Sequence, residues 1–431
     1  MKRLSASIPL AIVSLCAVAC SGPPATPDVT IVDDRSTADV APVDDLVSHD
    51  AADVTDAGGP VDVVLPADAG PCHVANTPVV LFEQAVGSAR PVSLLQDSDG
   101  YDFTVPGLTP PVGEAIWFLA TDPTGSAMGM NPVTHTPPTA HVTGGALTMR
   151  DRLYSLVYTS DETGSPQVYG LEVQGNAMPI ATSRTQLSFA TVPVDSPAIT
   201  LRAAGFIAAW RARESSGGRV VIQGIGPDLA LDGAPSVVTE TGFDVESFRL
   251  VSSPADMTYA IVYIGTRGGT RELRVSMLDA SMSPNASVLV ASGPMLGSEI
   301  DAVADGSAVA LVWTQLAGPP LVMQIVQSGG GDAGAPFPID RVSAPASAPG
   351  IAREALHWVI AYRAGSGNAT FLGLVRVARD RTVRDVSLLS VAAPGGRVGV
   401  ATATGGRYAV GSADDYPTRT IARFMVLTCP Q

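Results

Sequence analysis

The sequence predicts an all-β chain: a single β-propeller, with seven four-stranded blades as the first reading and six or eight as alternatives, preceded by a disordered tether. Three observations carry this. A short apolar strand recurs at intervals near fifty residues. The 431 residues include 43 Gly and 35 Pro, which favour many turns over long helices. A break in composition near residue 71 separates an aspartate- and proline-rich stretch from the repeats. With 46% apolar residues the chain cannot be disordered throughout. The net charge of −15 argues against nucleic acid as a partner, since nucleic acid needs a basic face. Lys2 is the only lysine, and arginine supplies every other cation.

Residues 1–19 read as a signal peptide. Lys2 and Arg3 form a positive start, Ile8 to Ala19 a short apolar segment broken by Pro9, and Ala17-Val18-Ala19-Cys20 a run of small residues. The apolar segment is too short to span a bilayer, and nothing later offers eighteen continuous apolar residues. Ala17-Val18-Ala19 also fits ordinary secretory cleavage, which leaves a secreted protein as the alternative.

Residues 20–71 are the tether. Eleven aspartates from Asp28 to Asp68 face a single cation, Arg35, for a net −10. Like charges repel, seven prolines block regular pairing, and large apolar residues are sparse, so the segment is expected to be extended.

Residues 72–431 hold the repeat. It runs Tyr154-Ser-Leu-Val-Tyr158, Phe206-Ile-Ala-Ala-Trp210, Tyr259-Ala-Ile-Val-Tyr263, Val309-Ala-Leu-Val-Trp313 and Trp358-Val-Ile-Ala-Tyr362. A degenerate copy, Tyr408 to Ser412, closes the series, and Ile116-Trp-Phe-Leu119 opens it. From Leu119 the repeat ends are spaced 39, 52, 53, 50, 49 and 50 residues apart. The short first interval predicts a first blade that lacks a strand or has clipped loops. Several copies are followed by a polar or Gly-rich turn and a second strand, then by a third strand such as Val386 to Ser390 and a fourth that leads into the next copy. Four short strands per interval is the pattern of a propeller blade. A β-sandwich pair is the competing reading, and a β-helix would show a much shorter period.

The last repeat has only one strand after it, Thr420 to Leu427, and the domain begins with a lone strand, Pro78 to Phe82. Pairing the two completes the last blade and removes two open sheet edges. Cys429 then ends one strand where Cys72 leads into its neighbour, which predicts a Cys72–Cys429 disulfide across the ring seam, in keeping with an oxidising compartment.

Chemistry is sparse. Asp97-Ser-Asp99-Gly100-Tyr-Asp102 makes Asp97, Asp99 and Asp102 the candidate calcium ligands, although Leu95 stands where such a loop begins with aspartate. Asp122-Pro-Thr-Gly125 and Asp161-Glu-Thr-Gly164 read as hairpin turns. His135 and His141, six apart, do not form a zinc pattern. Arg376, Arg379, Arg381 and Arg384 read as a solvated basic hairpin, and the repeat aromatics as packing between blades rather than a sugar-binding row. No G-x-S-x-G elbow or Cys/His pair is present, so no catalytic residue and no cofactor is expected.

The Ala17-Val18-Ala19-Cys20 run resembles the lipobox of bacterial lipoproteins. The signal, the tether and the repeats together resemble the uncharacterised propeller-bearing lipoproteins of myxobacteria. That resemblance implies lipidation of Cys20, an anchor in the cell envelope and, with Ser21 after the cysteine, the outer membrane. It implies no activity. The favoured function is a monomeric, lipid-anchored binding scaffold for an envelope protein or polysaccharide, and the alternative is a propeller hydrolase or lyase acting on carbohydrate. An enzyme is expected to gather carboxylates, arginines or a metal at the central channel, and a scaffold small apolar and polar residues.

Overall fold

A computed structural model describes residues 72–431 except 76–78, 86–92, 97–99, 110–112, 135–136, 138, 286, 329–334, 340, 343–344, 367–368, 393–395, 403–405, 416–418 and 431. The signal peptide, Cys20 and the tether lie outside the described residues. The chain divides into Met1–Pro60 and Val61–Gln431, and the described residues belong to the second unit.

Seven antiparallel sheets follow one another along the chain, which makes seven blades. Blade 1 spans residues 93–132, blade 2 142–186, blade 3 194–237, blade 4 243–292, blade 5 296–338 and blade 6 346–392, each with four strands that run outward in chain order from the axis. Blade 7 takes three strands from the end of the chain, Val398–Thr402, Arg407–Asp415 and Arg419–Thr428, and its outer edge from the beginning. Val79–Ala85 pairs with Arg419 to Phe424, and His73–Val74 pairs with Leu427 and Thr428. The ring thus closes by joining the two ends of the domain, as the sequence predicts. Cys72 and Cys429 are disulfide-bonded with Cα atoms 4.1 Å apart, across 357 residues.

The repeat is the second strand of each blade, and its period follows from strand geometry. Residues i, i+2 and i+4 of a strand share a face. In blade 4, Tyr259, Ile261 and Tyr263 pack on blade 3, while Ala260 and Val262 pack on blade 5. The same split holds in blade 3, where Phe206, Ala208 and Trp210 face blade 2 and Ile207 and Ala209 face blade 4. An aromatic at each end therefore fills the wide gap to the preceding blade, and the small or branched residues between them fill the gap to the next. Tyr158, Trp210, Tyr263, Trp313 and Tyr362 are all buried in these layers, as inter-blade packing requires.

Blade 1 corrects the first interval. It has four strands, and Ile116-Trp-Phe-Leu119 lies on the third, Gly113–Thr121. The second strand is Tyr101–Thr109, where Tyr101, Phe103 and Val105 pack on blade 7. Val105 precedes Tyr158 by 53 residues, so the interval is ordinary and the blade is complete.

Candidate functional site

The first half of each inner strand borders one mouth of the central channel. In five consecutive blades the inner strand breaks register there: between Thr143 and Gly145, Asp195 and Ala198, Val245 and Ser247, Leu296 and Ile300, and Ser347 and Gly350. Ser196 and Ala348 take left-handed conformations at two of these bulges, with φ of 52° and 48°. A bulge bends its strand and re-aims side chains, and bulges gather beside functional sites.

Charged side chains join neighbouring blades around this mouth. Glu114 of blade 1 accepts the amide of Val142 in blade 2 at 2.9 Å. In blade 3, Asp195 takes Arg211 Nε at 2.7 Å and Nη2 at 3.0 Å and also pairs with Arg213, while Arg211 reaches on to the Val245 and Glu246 carbonyls of blade 4. Burial pushes the Asp195 carboxyl up, but the two guanidinium groups and the Ser196 hydroxyl outweigh it and hold it below the usual aspartate range. In blade 4, Glu246 takes Arg271 Nη2 at 2.6 Å, and Arg271 donates to the Leu296 carbonyl of blade 5 at 3.1 Å. From blade 5, Glu299 Oε2 accepts the Ala348 amide at 2.7 Å and Asp301 Oδ2 the Ile351 amide at 2.8 Å, both on the inner strand of blade 6. Arg363, buried in blade 6, donates to the carbonyls of Gly396 at 3.3 Å and Ala413 at 3.0 Å on the blade 7 side. These residues stand one or two at a time in sequence, and only the ring brings them together.

Four ionisable groups come near one another between blades 4 and 7: Glu299 and Asp301 hold the Ala348 and Ile351 amides of blade 6, and Gly350 between these two abuts blade 7 beside Arg397, where a Cβ on it would lie 2.9 Å from the Val398 carbonyl oxygen. Arg249 of blade 4 donates Nε to Asp301 Oδ1 at 2.7 Å. Glu299 and Asp301 lie two apart on one strand and so share a face. Half-buried Arg397 directly precedes the inner strand of blade 7. Burial and nearby Arg249 push its guanidinium below the usual arginine range, against the opposite pull of Glu299 and Asp301. The mouth therefore carries more charge than the small apolar and polar lining expected of a plain scaffold.

The other sequence candidates are placed as follows. Asp97 and Asp99 lie outside the described residues, as does His135. Asp102 is 2% exposed within the strand Tyr101–Thr109. Among the described residues no three His, Cys, Asp or Glu side chains gather as a metal site. His141 is exposed, with its amide donating to Asp161 at 2.7 Å. Asp122 forms the hairpin turn its sequence suggests: its Oδ1 accepts the Thr124 amide at 2.8 Å and the Ser126 amide at 2.9 Å. Asp279 and Asp380 build equivalent turns in blades 4 and 6.

The basic hairpin is not one solvated face. Arg376 is 5% exposed and grips Asp385 through Nε at 2.9 Å and Nη2 at 2.5 Å, while Nη1 donates to the Pro430 carbonyl at 2.7 Å. Arg379 stacks on Trp358 at 4.4 Å and pairs with Asp305. Arg384 alone of the four is exposed. Alternation explains this: Arg376 sits on a strand face turned toward blade 7, where the chain ends.

These features define a seven-bladed propeller with a charged channel mouth. No family model matches the chain, and no curated protein matches it. Solved structures share the fold. The polysaccharide lyase Uly1 is similar with a TM-score of 0.52 at 8% identity, over 79% of this chain and 90% of that one. Hydrazine synthase of Kuenenia stuttgartiensis is similar with a TM-score of 0.50 at 14% identity, over 79% and 97%. A protein of unknown function from Dyadobacter fermentans is similar with a TM-score of 0.47 at 10% identity, over 69% and 97%. The first two likenesses are of fold alone, and identities this low say nothing of activity.

Proposed function

We propose that the protein is a cell-envelope lipoprotein, anchored through Cys20 in the outer membrane, that holds its propeller on the acidic tether as a binding module for an envelope polysaccharide or protein. The observation that supports binding is how the mouth carboxylates are employed. Asp195 and Glu246 are held by arginines, Asp301 by Arg249 and the Ile351 amide, and Glu299 by the Ala348 amide. A general acid or base must give up and regain its proton during turnover. Carboxylates held this way spend their oxygens on keeping the blades in place. The nearness of Arg249, Glu299, Asp301 and Arg397 favours a second reading, a hydrolase or lyase acting on carbohydrate.

The two readings separate in one experiment. The purified protein is incubated with envelope polysaccharides, and both retention and the release of new reducing ends are followed. Retention without cleavage supports the binding module, and reducing ends that rise with time and enzyme concentration support the enzyme. The anchor is tested by metabolic palmitate labelling. Wild type takes up label and Cys20→Ser does not, whereas an unlabelled wild type supports a secreted protein.

A further inference from the structure

Arg397 stands apart from the other arginines of the channel mouth. Arg211 and Arg271 each spend their guanidinium group on a carboxylate of their own blade and carbonyls of the next, Arg249 on Asp301 of the next blade, and Arg363 on carbonyls of the blade 7 side. The Arg397 guanidinium has no hydrogen bond and no ion pair within bonding distance among the described residues. Its backbone, by contrast, is fixed on both sides. Its carbonyl accepts the Ala413 amide at 3.1 Å, and the carbonyl of Gly396 before it accepts Nε of buried Arg363 at 3.3 Å. Gly396 has φ of 98°, and a Cβ there would lie 1.5 Å from the Ala413 carbonyl oxygen, so this approach requires glycine. Arg397 is only half-buried, so its guanidinium is solvated by water and open to a ligand entering the mouth.

The surroundings say which ligand. Arg249 is committed through Nε and Nη1, which leaves Nη2 with no partner among the described residues. Glu299 uses Oε2 for the Ala348 amide, and its other oxygen likewise has no described partner. The uncommitted atoms are thus planar donors on two arginines and one carboxylate acceptor. Guanidinium groups match a carboxylate in a bidentate fork. The carboxylate oxygen of Glu299 matches a hydroxyl donor. A sugar ring that bears one carboxylate among hydroxyls supplies both. A run of acidic peptide side chains would set several negative charges against Glu299 and Asp301.

We propose that Arg397 anchors a site at the channel mouth for a carboxylate-bearing saccharide, with Arg249 beside it and Glu299 accepting a ligand hydroxyl. This inference rests on the binding reading and names its ligand class. The test is calorimetric titration of the full chain with tetragalacturonate and with its methyl ester, which keeps the skeleton and removes the charge. The acid form is expected to bind the wild type, and the ester at least tenfold more weakly. Arg397→Gln should lose between about tenfold and a hundredfold in affinity for the acid form and bind both forms alike, whereas Arg397→Lys should retain part of the preference. Because Arg397 holds nothing else in place, the melting temperature of Arg397→Gln should match the wild type, so a loss of binding reports the site and not the fold. Equal binding of acid and ester by the wild type, undiminished binding by Arg397→Gln, or no binding of either form would overturn the proposal. A neutral polysaccharide retained equally by wild type and Arg397→Gln would also overturn it while leaving the binding-module reading in place.

Discussion

Arg376 shows how far a residue's type can mislead about its surroundings. Four arginines in nine positions look like a solvated hairpin, yet Arg376 is buried and holds both Asp385 and the carbonyl of Pro430. The signal available in sequence was parity, since Arg376 falls on the face shared with Leu374 and Leu372, both buried. Removing one partner of a buried pair strands the other charge, at a cost of about 3–5 kcal/mol. Arg376→Ala is expected to lower stability by about that much in chemical denaturation, and the apolar double replacement Arg376→Met with Asp385→Leu by clearly less. The turn aspartates make a second residue-level case. Asp279 is held below the usual aspartate range by the Ser281 hydroxyl and the Ser283 amide, and Asp122 and Asp380 are held low by equivalent groups. A carboxyl depressed in the folded state stabilises it above the unfolded value, and that contribution is lost as pH falls through the folded value. Replacing all three with Asn keeps the turn acceptors and removes the titration. In acid titration followed by circular dichroism, the triple variant should show a shallower loss of stability below about pH 4 than the wild type.

At the scale of the strand, the second strand of each blade was the legible element, because it is buried on both faces and reads as a continuous apolar run. Outer strands are legible only in part: Val386 to Ser390 falls within the outer strand Val383–Ala392 of blade 6, but others leave less trace. Leu231–Val237 is exposed along its whole length and keeps its register through backbone pairing with Val221, Ile222, Gly224 and Ile225, which leaves little trace in side-chain type. In blade 1 the most apolar stretch lies one strand beyond the repeat position for a related reason. Ile116-Trp-Phe-Leu119 is more apolar than Tyr101-Asp-Phe-Thr-Val105, although the latter holds the position the repeat occupies elsewhere. The repeat also constrains the strand beside it. Tyr362 lies opposite Gly373, and a Cβ on Gly373 would come within 2.4 Å of the tyrosine ring. Gly373→Ala should therefore cost about 1–3 kcal/mol through overpacking. Tyr362→Leu opens that space, so adding Gly373→Ala to it should cost much less than Gly373→Ala alone. Equal penalties in the two backgrounds in a denaturation cycle would show that the clash is not with the ring.

The whole ring depends on how its two ends meet, and there two devices act on different states. The Cys72–Cys429 disulfide closes a loop of 357 residues, and in the chain-entropy model its stabilisation, up to about 5 kcal/mol, comes from restricting the unfolded chain. The strand Val79–Ala85 acts on the folded ring, because it covers the edge that Arg419–Thr428 would otherwise present to solvent. An exposed edge of backbone donors and acceptors is a template for pairing with another chain. The two therefore predict different failures. Cys72→Ser with Cys429→Ser should lower the denaturation midpoint and leave the native protein's elution volume unchanged, since the outer strand still pairs. Deletion of residues 73–85 should lower stability as well, and should also make the protein associate as its concentration rises, which size-exclusion chromatography over a dilution series would detect. Association in the cysteine variant, or a strand-deleted protein whose elution volume does not change with concentration, would show that the covalent link and not the strand guards the edge.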